Sequence, residues 1–121
     1  MSLLVLDTSA IAAFAPGSVN VGEPITEVYS EGGRVVVPVV CLVEAACRVG
    51  EDMPRLLVDN PACEVEPLAG DRWAVVAAGT RVLGRLDLAS AFLAATVGRG
   101  YVLTAEPDVY GEPGENFVIP I

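Results

Sequence analysis

Asp7 closes the apolar run Leu3-Leu4-Val5-Leu6 and is followed at once by Thr8-Ser9, so a carboxylate and two hydroxyls stand together where that run stops. A run of this kind ahead of a capping sequence reads as a strand buried on both faces that leads into a helix. In open α/β sheets, ligands bind in the crevice outside the carboxyl ends of such strands. Asp7 therefore has two roles open to it: cap of a helix beginning near Ser9, or a ligating carboxylate facing that crevice. A second acidic group, Thr104-Ala105-Glu106-Pro107-Asp108, follows the apolar stretch Tyr101-Val102-Leu103 in the same manner, either as part of one site or as a polar loop. A third carboxylate, Glu44, is embedded in Val39-Val40-Cys41-Leu42-Val43-Glu44-Ala45-Ala46-Cys47. Burying it alone would be costly, so it faces a wet pocket, an ion or a cation. The other reading is an exposed helix face with Arg48, one turn on, as its ion-pair partner in the favourable Glu-to-Arg order.

Composition narrows the chemistry. The chain has no histidine, which removes Ser-His-Asp and Cys-His catalysis and leaves carboxylates, hydroxyls or a metal. Cys41, Cys47 and Cys63 are odd in number and form no C-x-x-C pair, so reduced thiols in the core are expected, with neither a disulfide framework nor a zinc site. At 121 residues, 53% hydrophobic and 19% charged, the chain is expected to form a single domain spanning residues 1–121. A net charge of −9 opposes broad adhesion to phosphate backbones. It leaves room for a nuclease, because divalent cations reverse the charge of an acidic metal site. There is no basic segment leading into an apolar one, and the longest apolar stretch, Val35 to Val49, is broken by Pro38, Glu44 and Arg48. The expectation is a soluble, cytoplasmic protein with no membrane partner.

The elements that must position these residues alternate along the chain. Helices are expected at Ser9 to Phe14, stopped by Pro16-Gly17, and at Glu23 to Glu31, stopped by Gly32-Gly33. Further helices fall at Val39 to Val49, Met53 to Asp59, Asp71 to Leu83 and Asp87 to Val97. Between them lie strands at Arg34 to Pro38, Cys63 to Leu68, Tyr101 to Thr104 and Phe117 to Ile119. Strands separated by helices imply right-handed crossovers and a mainly parallel sheet. The expected class is α/β, a three-layer α/β/α sandwich.

Four segments then stand in a telling order: Val5-Leu6-Asp7-Thr8-Ser9-Ala10, Val37-Pro38 running into Leu42-Val43-Glu44-Ala45, Leu88-Ala89-Ser90-Ala91-Phe92-Leu93-Ala94-Ala95-Thr96, and Gly100-Tyr101-Val102-Leu103-Thr104-Ala105-Glu106. In order and spacing they resemble the PIN-domain ribonucleases, above all the small single-domain VapC-type toxins of prokaryotic toxin–antitoxin systems. The resemblance implies a metal-dependent endoribonuclease that hydrolyses RNA phosphodiester bonds with Mg²⁺ or Mn²⁺ held by acidic side chains. Carried over, it makes Asp7, Glu44 and Glu106 the catalytic carboxylates and metal ligands, with Thr8, Ser9 and Thr104 as supporting hydroxyls and Asp108 able to share the part of Glu106. The chain departs from the family at Ser90, where an aspartate is usual and where the spacing to Ala94-Ala95-Thr96 turns the side chain toward the crevice. Asp87, one helical turn earlier, either caps that helix or takes over as ligand. The implied partners are RNA, a second copy in a homodimer, and an antitoxin laid over an apolar groove. Ile11-Ala12-Phe14 would belong either to that groove or simply to the core. The alternative is a degenerate PIN domain that keeps the fold, has lost the chemistry, and serves as a binding or regulatory partner. A small-molecule or nucleotide binder at the strand ends is disfavoured, since no glycine-rich phosphate loop follows any strand.

Overall fold

Leu3–Leu6, Val35-Val36-Val37 and Val102-Leu103 have aliphatic side chains on both faces of the backbone, and all of them are buried. Such strands are stable only where helices cover both sides of a sheet, as crossover connections between parallel strands require. The computed structural model, which describes residues 2–15 and 18–121, has that architecture. Its strands are β1 (Leu3–Leu6), β2 (Arg34–Pro38), β3 (Cys63–Glu66), β4 (Tyr101–Thr104) and β5 (Val118–Pro120). Its helices are α1 (Thr8–Ala13), α2 (Val19–Ser30), α3 (Val39–Val49), α4 (Asp52–Asp59), α5 (Trp73–Leu83), α6 (Leu86–Gly98) and the single turn α7 (Gly111–Gly114). Two 3-10 turns, Gly70–Arg72 and Pro107–Tyr110, complete the order.

All pairings are parallel and the strand order is β3-β2-β1-β4-β5. Helix α2 packs against β1 and β2, while α6, backed by α5, packs against β1, β2 and β4. The result is the three-layer α/β/α arrangement. Connections leave β1 toward β2 and leave β4 toward β5, so their carboxyl ends diverge and open a crevice between the two central strands.

Local signals placed most boundaries, with instructive shifts. Helix α2 begins at Val19 because Ser18 caps it, its Oγ accepting from the Val21 N–H at 3.3 Å; the expected start at Glu23 would have kept Pro24 in the first turn. Pro24 is instead inside the helix. Edge strand β3 ends at Glu66, ahead of Pro67, and β5 runs one residue later than expected. The Pro16-Gly17 stop lies outside the described residues. The turn Pro107–Tyr110 and α7 were not anticipated, and Tyr110 within them is buried.

Cys41 is buried and burial pushes its thiol up to about 12; Cys63 is half-buried, and its thiol is raised by burial to about 11. Cys47 contradicts the expectation of core thiols, because it lies on the exposed face of α3 while Cys41 and Ala45 take the buried one. Ile11 and Phe14 are core residues with Ala12 packed beside them. No helix among the described residues is long and apolar enough to cross a membrane.

Candidate functional site

Asp7 stands at the mouth of the crevice and is 2% exposed. Its Oδ1 accepts from the Ala10 N–H at 2.9 Å, the N-cap bond of α1, and from Ser9 Oγ at 2.7 Å. The helix thus begins one residue before the expected Ser9. Capping occupies only one of the two oxygens. Asp7 Oδ2 accepts from the Tyr110 hydroxyl at 2.8 Å, across a sequence separation of 103. Burial, the Asp7 charge and the hydrogen bond it donates all push the Tyr110 phenol well above its usual range, so it stays a donor.

The hydroxyls link the two central strands. The single proton of Ser9 goes to Asp7, so Thr104 Oγ1, 3.1 Å away, donates to Ser9 Oγ, which also accepts from the Ala105 N–H at 2.8 Å. Thr104 Oγ1 in turn accepts from the Glu106 N–H at 3.0 Å. Both hydroxyls are therefore spent on fixing the loop after β4, which aims Glu106.

Asp87 belongs to the same cluster. Thr8 Oγ1 donates to its Oδ2 at 2.6 Å, and Arg85 embraces it with Nη2 to Oδ2 at 2.8 Å and Nε to Oδ1 at 3.1 Å. Arg85 Nη1 also reaches Glu106 Oε2 at 3.3 Å, and Arg48 Nη1 lies 3.7 Å from Glu106 Oε1. The cap reading of Asp87 is corrected: α6 starts at Leu86, Arg85 holds the N-cap position, and no side-chain cap bond is made. With Asp87 at the second helical position, its carboxylate still gains from the helix dipole but turns toward Thr8 at the start of α1. Cys41 Sγ donates to the Asp87 carbonyl at 3.3 Å. Burial works to raise the Asp87 carboxyl, but hydrogen bonds from Arg85 and Thr8, the Arg85 charge and the Leu88 N–H outweigh it and hold it below the ordinary 3.8. The Asp87 bonds hold Arg85 well above the usual guanidinium range, with Glu106 adding to them and burial opposing.

A depressed folded pKa stabilises the protein above the unfolded value and ceases to do so as the pH falls through the folded one. The stability difference between wild type and Asp87→Asn, followed by thermal melts, is therefore expected to be constant from pH 7 to about pH 5 and to shrink below about pH 4, where a free Asp titrates. A difference that is the same at pH 3 and pH 7 would contradict this ion pair.

Other residues singled out from the sequence lie elsewhere. Glu44 is exposed on α3, and among the described residues no ion pair joins it to Arg48, whose guanidinium reaches Glu106 instead. Asp108 is exposed on the turn after Glu106. Ser90 does not face the crevice. It lines a separate cavity of about 380 Å³ with Leu3, Leu93, Ala94, Arg34, Glu66 and Arg72, and among the described residues its buried Oγ has no hydrogen-bond partner. Arg85 and Tyr110 were missed. An arginine two residues before Asp87 was a visible signal for the first; nothing near Tyr110 in sequence marks it as the partner of Asp7.

As arranged, these side chains do not fit a divalent cation. Both Asp87 oxygens and Glu106 Oε2 accept from Arg85, both Asp7 oxygens have internal donors, and among the described residues no three Asp, Glu or Cys side chains are grouped to hold a metal. The fold and site define an α/β protein with an arginine-bridged acidic crevice at the switch point of its sheet. No protein-family model and no curated protein matches the chain.

Proposed function

We propose that this crevice is the active site of a PIN-type, Mg²⁺- or Mn²⁺-dependent endoribonuclease acting on RNA phosphodiester bonds. One observation supports the reading above the rest: Asp7 after β1, Asp87 at the start of α6 and Glu106 after β4 stand at the switch point in one hydrogen-bonded network, Asp87 and Glu106 sharing Arg85 and Asp7 joined to the loop that carries Glu106 through Ser9 and Thr104. Asp87 then takes the acidic place that Ser90 leaves empty, and Glu44 and Asp108 stand outside the cluster. RNA is the substrate, with Arg48 and Arg85 at the rim to meet phosphate. A homodimer or an antitoxin would draw on exposed apolar side chains such as Trp73 and Val82 of α5 and Val97 of α6. Acting within the cytoplasm belongs to this reading as well.

A degenerate domain, kept for binding or regulation, is favoured by a different observation, the Arg85 fork already lying across Asp87 and Glu106. A metal titration separates the two. Under the nuclease reading Mn²⁺ raises the melting temperature of the wild type, by about 1.4 kcal/mol of stabilisation at tenfold over Kd. Asp87→Asn and Glu106→Gln should reduce that gain and slow cleavage of single-stranded RNA. Absence of any shift at tens of millimolar Mn²⁺, together with no cleavage, would put the degenerate reading ahead.

A further inference from the structure

Space remains between α6 and β2 along the sides that face each other. Ser90, Leu93, Ala94 and Val97 recur at helical spacing and form one stripe of α6, while Arg34, Val36 and Pro38 alternate along β2 onto one face of the sheet. Both sets line the cavity of about 380 Å³. That volume lies within the roughly 300–1,000 Å³ of small-molecule sites. From Ser90 to Gly98 the helix rises about 12 Å, and from Arg34 to Pro38 the strand runs about 13 Å, so the space is a channel of about that length.

The two ends of the channel differ. Helices α5 and α6 form a hairpin about Gly84, with Gly79 against Ala89 and Leu93, which sets the start of α5 beside the end of α6. Arg72, at the N-cap position of α5, and Arg34, the first residue of β2, therefore share the end where Val97 and Gly98 lie. Arg34 is held in an exposed pair by Glu64, Nε to Oε1 at 2.6 Å, whereas Arg72 has no ion pair among the described residues. Glu66 stands at the opposite end, beside Pro38 in register. Ser90, about two helical turns before Gly98, is at that end too. A hydroxyl buried without a partner is costly, and the Ser90 Oγ calls for a hydrogen-bonding group on whatever fills the channel.

The geometry points to a binding site for an elongated monocarboxylate with a terminal hydroxyl, its carboxylate at Arg72 and Arg34 and its hydroxyl at Ser90 and Glu66. Neither Asp7, Asp87 nor Glu106 lines the channel, so the site stands apart from the acidic crevice and does not depend on the nuclease reading. Each part of the ligand answers a part of the wall. The arginine fork suits a carboxylate, and a methylene chain is taken out of water against Leu3, Val36, Leu93 and Ala94. A hydroxyl donates to Glu66 and pairs with Ser90, where a second carboxylate would meet the Glu66 charge.

The test is a calorimetric titration, with melting temperatures in parallel, of wild type, Arg72→Gln, Ser90→Ala and Ala94→Leu against ω-hydroxyoctanoate, octanoate, suberate and octanol. The wild type is expected to bind ω-hydroxyoctanoate at one site and most tightly of the four, with octanoate about threefold to tenfold weaker for want of the terminal hydrogen bond. Arg72→Gln should weaken both monocarboxylates about tenfold and leave octanol unchanged. Ser90→Ala should bind octanoate as the wild type does and lose the preference for the hydroxylated acid. Ala94→Leu fills the channel and should abolish binding; if it fails to fold, the other two variants still decide. Absence of saturable binding of ω-hydroxyoctanoate by the wild type at tens of millimolar would overturn the inference. So would octanol binding as tightly as octanoate, equal affinities in wild type and Arg72→Gln, or a preference for the hydroxylated acid that persists in Ser90→Ala.

Discussion

Asp7→Ala is expected to cost roughly 3–5 kcal/mol of folding stability, from a lost helix cap together with donors left buried without an acceptor. The cap bond to the Ala10 N–H disappears, and the hydroxyls of Tyr110, 1% exposed, and Ser9 lose the oxygens that receive them. Against a total of about 5–15 kcal/mol for a domain, that is a large share. Asp7→Asn should cost clearly less: the amide oxygen still caps α1, and its NH₂ can donate to a rotated Tyr110 hydroxyl. Urea denaturation of both variants measures the difference, and a loss below about 1 kcal/mol in Asp7→Ala would refute the role of Asp7 as hub of this network. A practical consequence follows for activity assays. Loss of cleavage in Asp7→Ala would report unfolding as readily as chemistry, whereas Asp7→Asn and Asp87→Asn separate the two.

Ser90→Asp should destabilise the protein by about 2–3 kcal/mol and leave Mn²⁺ half-saturation unchanged, because a new carboxylate would be placed where the hydroxyl already lacks a partner. Resemblance alone points to the opposite result, a stronger metal site. The cavity that Ser90 lines includes none of Asp7, Asp87 or Glu106 in its wall. Ser90→Ala is the complementary variant: it removes a buried orphan hydroxyl and should be neutral or stabilising by up to about 1 kcal/mol. Tighter Mn²⁺ binding by Ser90→Asp, with stability intact, would show that this side chain reaches the crevice after all.

Asp7 as cap of α1, the buried strands β1, β2 and β4, and the parallel α/β class were all legible in the sequence. Each depends on neighbours in the chain: an aspartate three residues before the N–H it accepts, or an aliphatic run that only a sheet covered on both faces can bury. Glu106 was legible as an acidic residue past a strand end, though not as one aimed by Thr104. What tertiary structure decided is which carboxylates meet and what neutralises them. Asp87 and Ser90 lie on the same helix, and a start at Leu86, with Arg85 at the cap, turns Asp87 to Thr8 and leaves Ser90 on the wall of another cavity. Each residue along a helix rotates the side-chain direction by about 100°, so a small shift in start or packing angle reassigns a whole face. The Tyr110 bond to Asp7 and the Thr8 bond to Asp87 span 103 and 79 residues, and exist only once β4 is seated beside β1 and the turn after it has folded back. Contacts of that range have no local signature, because their energy comes from burying polar groups against one another in the closed structure rather than from any preference of the residues themselves.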